Sequence, residues 1–187
     1  FGDAPQLVPG LSACPDLIEP AEESTLAARI DACALQPFQY QGWEGRRLFA
    51  AFGSDYDYTR GRVIPAPTIP DWLLPLRDRM AQWAGLPASD LVQALVLRYD
   101  PGAGIGWHRD RPQYGRILGL SLGAPEVLRL RRRRADGGFD RRTVPLAPRA
   151  AYGLDGPARW EWEHSITPVE QRRWSITFRS FRDQSAQ

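Results

Sequence analysis

After two helical segments, the chain beyond Asp90 is cut by turns into about eight short β-like runs, and this order of textures restricts its fold more than any other feature. The runs are read at 92–99, 105–110, 116–122, 127–134, 139–146, 150–154, 160–166 and 173–181. Asp136-Gly137-Gly138 turns the fourth into the fifth as a hairpin. The first helix is expected over 21–35. Glu22 and Glu23 occupy its first turn, Leu26, Ile30 and Cys33 share one face, and Pro37 stops it. The second is expected over 70–84, with Leu73, Leu76, Met80 and Trp83 as a buried stripe and Gly85 beyond its end. Helices first and strands afterwards imply α+β: a double-sheet jelly roll of about eight strands, backed by the two N-terminal helices. Residues 1–20 carry several Pro and Gly and are expected to form an irregular arm.

At 187 residues the chain is expected to be a single domain. It divides into an N-terminal section at 1–62 and a helix-plus-strand section at 63–187. It shows no apolar run long enough to span a membrane and no signal-peptide segment. It opens on Phe1, which suggests a processed or trimmed N-terminus. Cys14 and Cys33 read as free thiols in a reducing compartment, and a cytoplasmic monomer is the expectation. The net charge of +2 does not announce nucleic acid, although all 24 basic residues are arginine. Arg131-Arg132-Arg133-Arg134, with Arg141 and Arg142, is the densest basic patch: a solvated face or a nucleic-acid contact.

The chain has only two histidines. Strand alternation would turn His108 and Asp110 to the same side, as a chelating His-x-Asp pair needs. His164 follows far downstream, just ahead of an arginine-bearing strand. Arg173, Ser175, Thr177 and Arg179 share one face of that strand, and Trp174, Ile176 and Phe178 share the other. Two inward arginines are costly unless an anion meets them, and a dicarboxylate would meet both. Together these residues read as a 2-His-1-carboxylate Fe(II) site with a 2-oxoglutarate pocket and an open position for O2. A zinc hydrolase remains an alternative for His2Asp, as does a non-catalytic nucleic-acid-binding module.

The segment from Leu97 to Arg179 resembles the AlkB family of Fe(II)/2-oxoglutarate dioxygenases. The resemblance is carried by Arg98-Tyr99-Asp100-Pro101-Gly102-Ala103-Gly104-Ile105, His108-Arg109-Asp110, Leu120-Ser121-Leu122-Gly123, Gly156-Pro157-Ala158-Arg159, Trp162-Glu163-His164-Ser165-Ile166 and Arg173 to Arg179. It implies a double-stranded β-helix core with His108, Asp110 and His164 on iron. Arg173 would pair with the distal carboxylate of 2-oxoglutarate, helped by Ser175 and by Tyr99 or Tyr152, and Arg179 would hold the nearer carboxylate. Phe52-Gly53-Ser54-Asp55-Tyr56-Asp57-Tyr58 is similar to the family's nucleotide-recognition lid. Phe52, Tyr56 and Tyr58 would stack on a base, with Arg46, Arg47, Arg60 and Arg111 beside them. The implied reaction is oxidative dealkylation of N-alkylated bases in DNA or RNA, single-stranded or flipped out, with release of formaldehyde, succinate and CO2. The same chemistry on tRNA or protein is the alternative. Two positions depart from the family pattern. Leu97 stands where many members carry Asn, and Arg111-Pro112 stands where base-repair members carry an acid.

Overall fold

The structure, a computed structural model, describes residues 8–40 and 43–183. In chain order its elements are β1 (Leu11–Cys14), α1 (Pro20–Asp31), β2 (Gln36–Tyr40), β3 (Trp43–Phe52), β4 (Ser54–Asp57), β5 (Arg62–Pro65) and α2 (Leu74–Ala84). There follow β6 (Leu91–Tyr99), β7 (Ile105–His108), β8 (Tyr114–Gly123), β9 (Glu126–Arg133), β10 (Phe139–Leu146) and β11 (Ala151–Leu154). α3 (Gly156–Trp160), β12 (Glu163–Ile166) and β13 (Arg173–Phe181) complete the chain.

Two antiparallel sheets face each other. The major sheet runs β1-β11-β8-β13-β6-β3-β2 and the minor sheet β10-β9-β12-β7. Eight of these strands, β6 to β13, pass between the sheets as a double-stranded β-helix, with the β9–β10 hairpin kept within the minor sheet, the jelly roll expected from the texture of the chain. β1, β2 and β3 widen the major sheet, and β4 and β5 form a separate hairpin.

The core has two parts because the major sheet is buried on both faces. Its outer face carries Ala94, Val96, Leu118, Leu120, Leu122, Ile176 and Phe178, which pack against Leu26 and Ile30 of α1 and Leu76 and Met80 of α2. The second cluster lies between the sheets and joins Leu97 and Ile117 to Leu128, Leu130, Leu146 and Ile166. The stripe on α2 is as expected: Leu73 and Met80 are fully buried. Pro75 sits in its first turn, and Gly85 takes the left-handed conformation (φ 71°) that lets its N–H return to the Ala81 and Gln82 carbonyls.

Three expectations need correction. Residues 11–14 of the supposed arm form β1, which pairs with β11; residues 1–7 lie outside the described residues. α1 ends at Asp31, and Pro37 lies inside β2 instead of stopping a helix. β2 is the outermost strand of the major sheet, the place where a missing N–H is tolerated. Trp160, read as the start of the strand at 160–166, ends the helix α3, and that strand begins at Glu163.

Candidate metal centre and its cavity

β7 ends at His108, so Asp110 lies beyond the strand and converges with His108 through a bend rather than through strand alternation. His164 on β12 is paired in register with His108. His108 Nε2 lies 3.5 Å and His164 Nε2 3.4 Å from Asp110 Oδ1, and the three residues offer ligand atoms within 4.8 Å of one another. Neighbouring donors bound at about 2.1 Å to one ion stand about 3 Å apart, so the spacing suits a single metal.

The donors also have the right protonation. His108 Nδ1 lies 2.8 Å from the Gly106 carbonyl, which can only accept; the proton sits on Nδ1 and the Nε2 lone pair is free. Burial, and then the neighbouring His108, lowers the pKa of His164 and keeps it neutral. Burial pushes the Asp110 carboxyl up, but the Arg179 guanidinium and the two histidines outweigh it and hold the group well below the usual range. Arg179 Nε donates to Asp110 Oδ2 at 2.6 Å, which leaves Oδ1 turned to the histidines. The set is thus the Nε2 atoms of two imidazoles and one oxygen of an ionised carboxylate.

Arg179 also donates from Nη1 to Gln93 Oε1 at 2.8 Å. Gln93 Nε2 reaches the Ser54 carbonyl at 2.9 Å, and Ser54 Oγ lies 2.9 Å from the Tyr114 hydroxyl. A continuous chain of bonds therefore ties Asp110 to the root of the β4–β5 hairpin. Arg159 of α3, 3% exposed, braces the segment after Asp110 by donating to the carbonyls of Arg111, Tyr114 and Gly115.

Arg173 is 2% exposed, yet among the described residues its one side-chain hydrogen bond is from Nε to the neutral Ser121 hydroxyl at 3.1 Å. Its guanidinium stacks 4.9 Å from the Tyr99 ring centre. Among the described residues no carboxylate pairs with it, and its amino groups are left to an anion in the cavity. Ser175 and Tyr152 line the same space. Tyr152 lies over Gly119 so closely that a Cβ there would run into its ring. Burial, opposed by Arg173, pushes the Tyr152 hydroxyl up to about 12.

The cavity measures about 1030 Å³ and is lined by the triad, Arg173, Arg179 and the β4–β5 hairpin. Tyr56 and Tyr58 meet edge to face at 4.9 Å, and Phe38 meets Tyr58 at 5.2 Å. Arg47 stacks on Phe38 at 4.3 Å, and Arg111 on Tyr58 at 4.5 Å and Tyr56 at 5.0 Å. Asp55 lines the same wall, its carboxyl raised by burial.

Three residues expected at the substrate wall lie elsewhere. Phe52 falls on the other face of β3 from Arg47 and packs into the core beneath the helices. Arg46, turned away from its neighbour by strand alternation, is exposed beside Gly102. Arg60 stands in the exposed turn between β4 and β5, near its own Asp57 at 3.7 Å. Sequence reasoning missed Gln93, Ser121, Ser54 and Arg159. Gln93 carried a signal, as an amide at the head of the inward row Gln93, Leu95, Leu97. Ser121, Ser54 and Arg159 stood within stretches quoted for the family resemblance, but their roles were hidden because their partners are distant in sequence.

Fold and site together define a metal-dependent oxygenase built on a double-stranded β-helix. Residues 12–179 match the 2OG-Fe(II) oxygenase superfamily, and the chain belongs to it, a dioxygenase that uses Fe(II), 2-oxoglutarate and O2. It is 26% identical over 184 residues to a protein of Arabidopsis thaliana named as an alkylated DNA repair protein ALKBH8 homolog, with 85% of this chain and 51% of that protein covered. The chain thus spans about half the length of that relative. It is 28% identical over 193 residues to the uncharacterized protein L905 of Acanthamoeba polyphaga mimivirus, covering 91% of this chain and 84% of that one. The structure of OsALKBH1 shares the fold with a TM-score of 0.69 at 15% identity, over 92% of this chain and 98% of that one. A Pseudomonas putida prolyl-4-hydroxylase shares it with a TM-score of 0.59 at 18% identity, over 92% and 93%.

Proposed function

We propose that this dioxygenase oxidatively dealkylates N-alkylated nucleic-acid bases, presented as single strands or flipped out of a duplex. The observation that carries the reading is the wall of Phe38, Tyr56, Tyr58, Arg47 and Arg111 lining the cavity that holds the His108–Asp110–His164 cluster. Aromatic faces stack on any base, and arginines beside them meet its phosphates. The name of the Arabidopsis relative points the same way.

On this reading His108 Nε2, His164 Nε2 and Asp110 Oδ1 hold the iron. Arg173, aided by Ser175 and by Tyr99 or Tyr152, receives the distal carboxylate of 2-oxoglutarate. Arg179 contributes to the nearer carboxylate through the N–H groups that Asp110 and Gln93 leave to it, the two of Nη2 and the second of Nη1. Fe(II) with 2-oxoglutarate and O2 supplies the oxidation of an N-alkyl carbon, after which the hydroxylated alkyl group leaves as formaldehyde while succinate and CO2 are released. The chain's own part is to orient Asp110 through Arg179, fix the His108 tautomer through Gly106, and clamp the base against the aromatic and arginine residues of the cavity wall.

One observation favours a second substrate class, a tRNA modification or a protein side chain. Arg111 stands where base-repair members carry an acid, and its guanidinium already stacks on Tyr56 and Tyr58. The deciding experiment is mass spectrometry of methylated DNA and RNA oligonucleotides, single- and double-stranded, incubated with Fe(II), 2-oxoglutarate and air. Loss of a methyl group that disappears in His108→Ala is the expected result. Succinate formation without demethylation of any oligonucleotide would overturn the dealkylation of alkylated bases and leave the second class.

A further inference from the structure

The arginine run at 131–134 takes no part in the cavity. Leu128 and Leu130 of β9 point between the sheets, so Arg129, Arg131 and Arg133 alternate onto the outer face of the minor sheet. There they interleave with aromatic rings from neighbouring strands. Trp107 of β7 has the guanidinium carbon of Arg129 at 4.8 Å and that of Arg131 at 4.5 Å. Arg131 lies 4.5 Å from Phe139 of β10, which also meets Arg133 at 5.2 Å and Arg141 at 5.5 Å. The order Arg129, Trp107, Arg131, Phe139, Arg133 makes a ladder across the sheet.

The ladder is under-neutralised. Glu163 pairs with Arg131 at 2.6 Å, and among the described residues the Arg129 side chain donates only to the Ser165 hydroxyl, at 3.0 Å. Arg133 and Arg141 are exposed and have no carboxylate partner among the described residues. α1 and α2 both pack on the major sheet, on the opposite side of the molecule. Trp107 connects the two regions: its ring lies in the ladder, it lines the catalytic cavity, and it precedes His108.

We propose that this outer face is a docking track for the backbone of a single-stranded nucleic acid whose target nucleotide enters the cavity past Trp107. The proposal rests on the nucleic-acid reading of the cavity for the direction of the strand. Stacking on Trp107 and Phe139 fixes the guanidinium planes in advance and leaves their N–H edges for phosphates. The outer planes offer stacking surfaces to unpaired bases, which an acidic peptide or a lipid headgroup does not exploit.

The test is fluorescence anisotropy of a labelled mixed-sequence single-stranded oligonucleotide, titrated at several salt concentrations. The proteins are the wild type, Arg133→Ala/Arg141→Ala and Arg133→Lys/Arg141→Lys. Two lost phosphate contacts flatten the slope of log affinity against log salt by about 1.4, since each is worth about 0.7 on single strands. The alanine variant is expected to bind about tenfold or more weaker at 50 mM salt. The lysine variant keeps the wild-type slope, and succinate formation without nucleic acid is unchanged in both. Equal slopes and affinities for wild type and alanine variant would overturn the proposal. So would absence of oligonucleotide binding by the wild type, or equally tight, ladder-dependent binding of polyglutamate or anionic vesicles. Ladder-dependent binding of oligonucleotides that are never demethylated would sustain the track while removing the dealkylation reading. Demethylation with ladder-independent binding would do the reverse.

Discussion

Tyr152 shows how closely a single side chain can be confined by its site. Gly119 on β8 leaves room for its ring, and burial, with Arg173 opposing, pushes its hydroxyl up to about 12. An unfolded tyrosine ionises near 10. Below pH 10 both folded and unfolded chains keep this proton, and the group does not alter stability with pH. From pH 10 to 12 the unfolded chain releases the proton and the folded chain holds it, so stability falls as pH rises through that window. The loss reaches about 3 kcal/mol at most for a shift of this size. Tyr114, also raised by burial, adds in the same direction. Tyr152→Phe is expected to keep the fold and to flatten the decline, measured as urea midpoints at pH 9, 10, 11 and 11.5. An alkaline decline as steep as the wild type's would show that Tyr152 ionises normally.

At the scale of elements, α2 is held by its stripe rather than by its ends. Leu73 and Met80 are fully buried and Leu76 is 4% exposed, all against the outer face of the major sheet. Met80→Ala is expected to cost about 2–5 kcal/mol, as buried truncations of this size do. Iron and 2-oxoglutarate affinities should be unchanged, because every residue of the site projects from the other face of that sheet, from the minor sheet or from the loops. Chemical denaturation beside a 2-oxoglutarate titration checks both halves. The elements that were legible in the sequence share this regularity. α2 and the strand Arg173–Phe181 were readable from spacing alone, and so was the inward set Arg173, Ser175, Thr177, Arg179. What stayed hidden depends on pairing between distant segments. β1 is four residues long and exists because Leu11 to Cys14 meet Ala151 to Leu154. Pro37 looked like a helix stop because nothing local reveals that its strand is the outermost of the sheet. His108, Asp110 and His164 were legible because the chain has no other histidines. The means of their convergence was not, since the bend after His108 is braced by Arg159 from α3.

At the scale of the whole molecule, the site joins the two sheets. His108 and His164 belong to strands of the minor sheet, and Arg173, Arg179 and Tyr152 to strands of the major sheet. A ligand set bound in the cavity therefore bridges both layers, and separating them requires its release. Binding to the folded chain alone stabilises by mass action, about 2.7 kcal/mol at a hundred times Kd. For a chain of this length that corresponds to a rise in Tm of roughly 5–10 °C. Mn(II), a redox-quiet stand-in for Fe(II), is expected to raise Tm in the wild type, and 2-oxoglutarate to raise it further. In Arg173→Ala the metal increment should persist and the 2-oxoglutarate increment disappear if, as proposed, the distal carboxylate meets the buried guanidinium whose Nε donates to Ser121. Arg173→Lys keeps the charge but loses the planar fork, so a partial increment is expected. Calorimetry of the three proteins, with and without each ligand, separates the cases. A full 2-oxoglutarate increment in the alanine variant would reassign Arg173 to holding β13 against β8 through Ser121. A lost metal increment in that variant would mean that the two halves of the cavity fold as one unit, with Asp110 unable to keep its geometry once the arginine strand is disturbed.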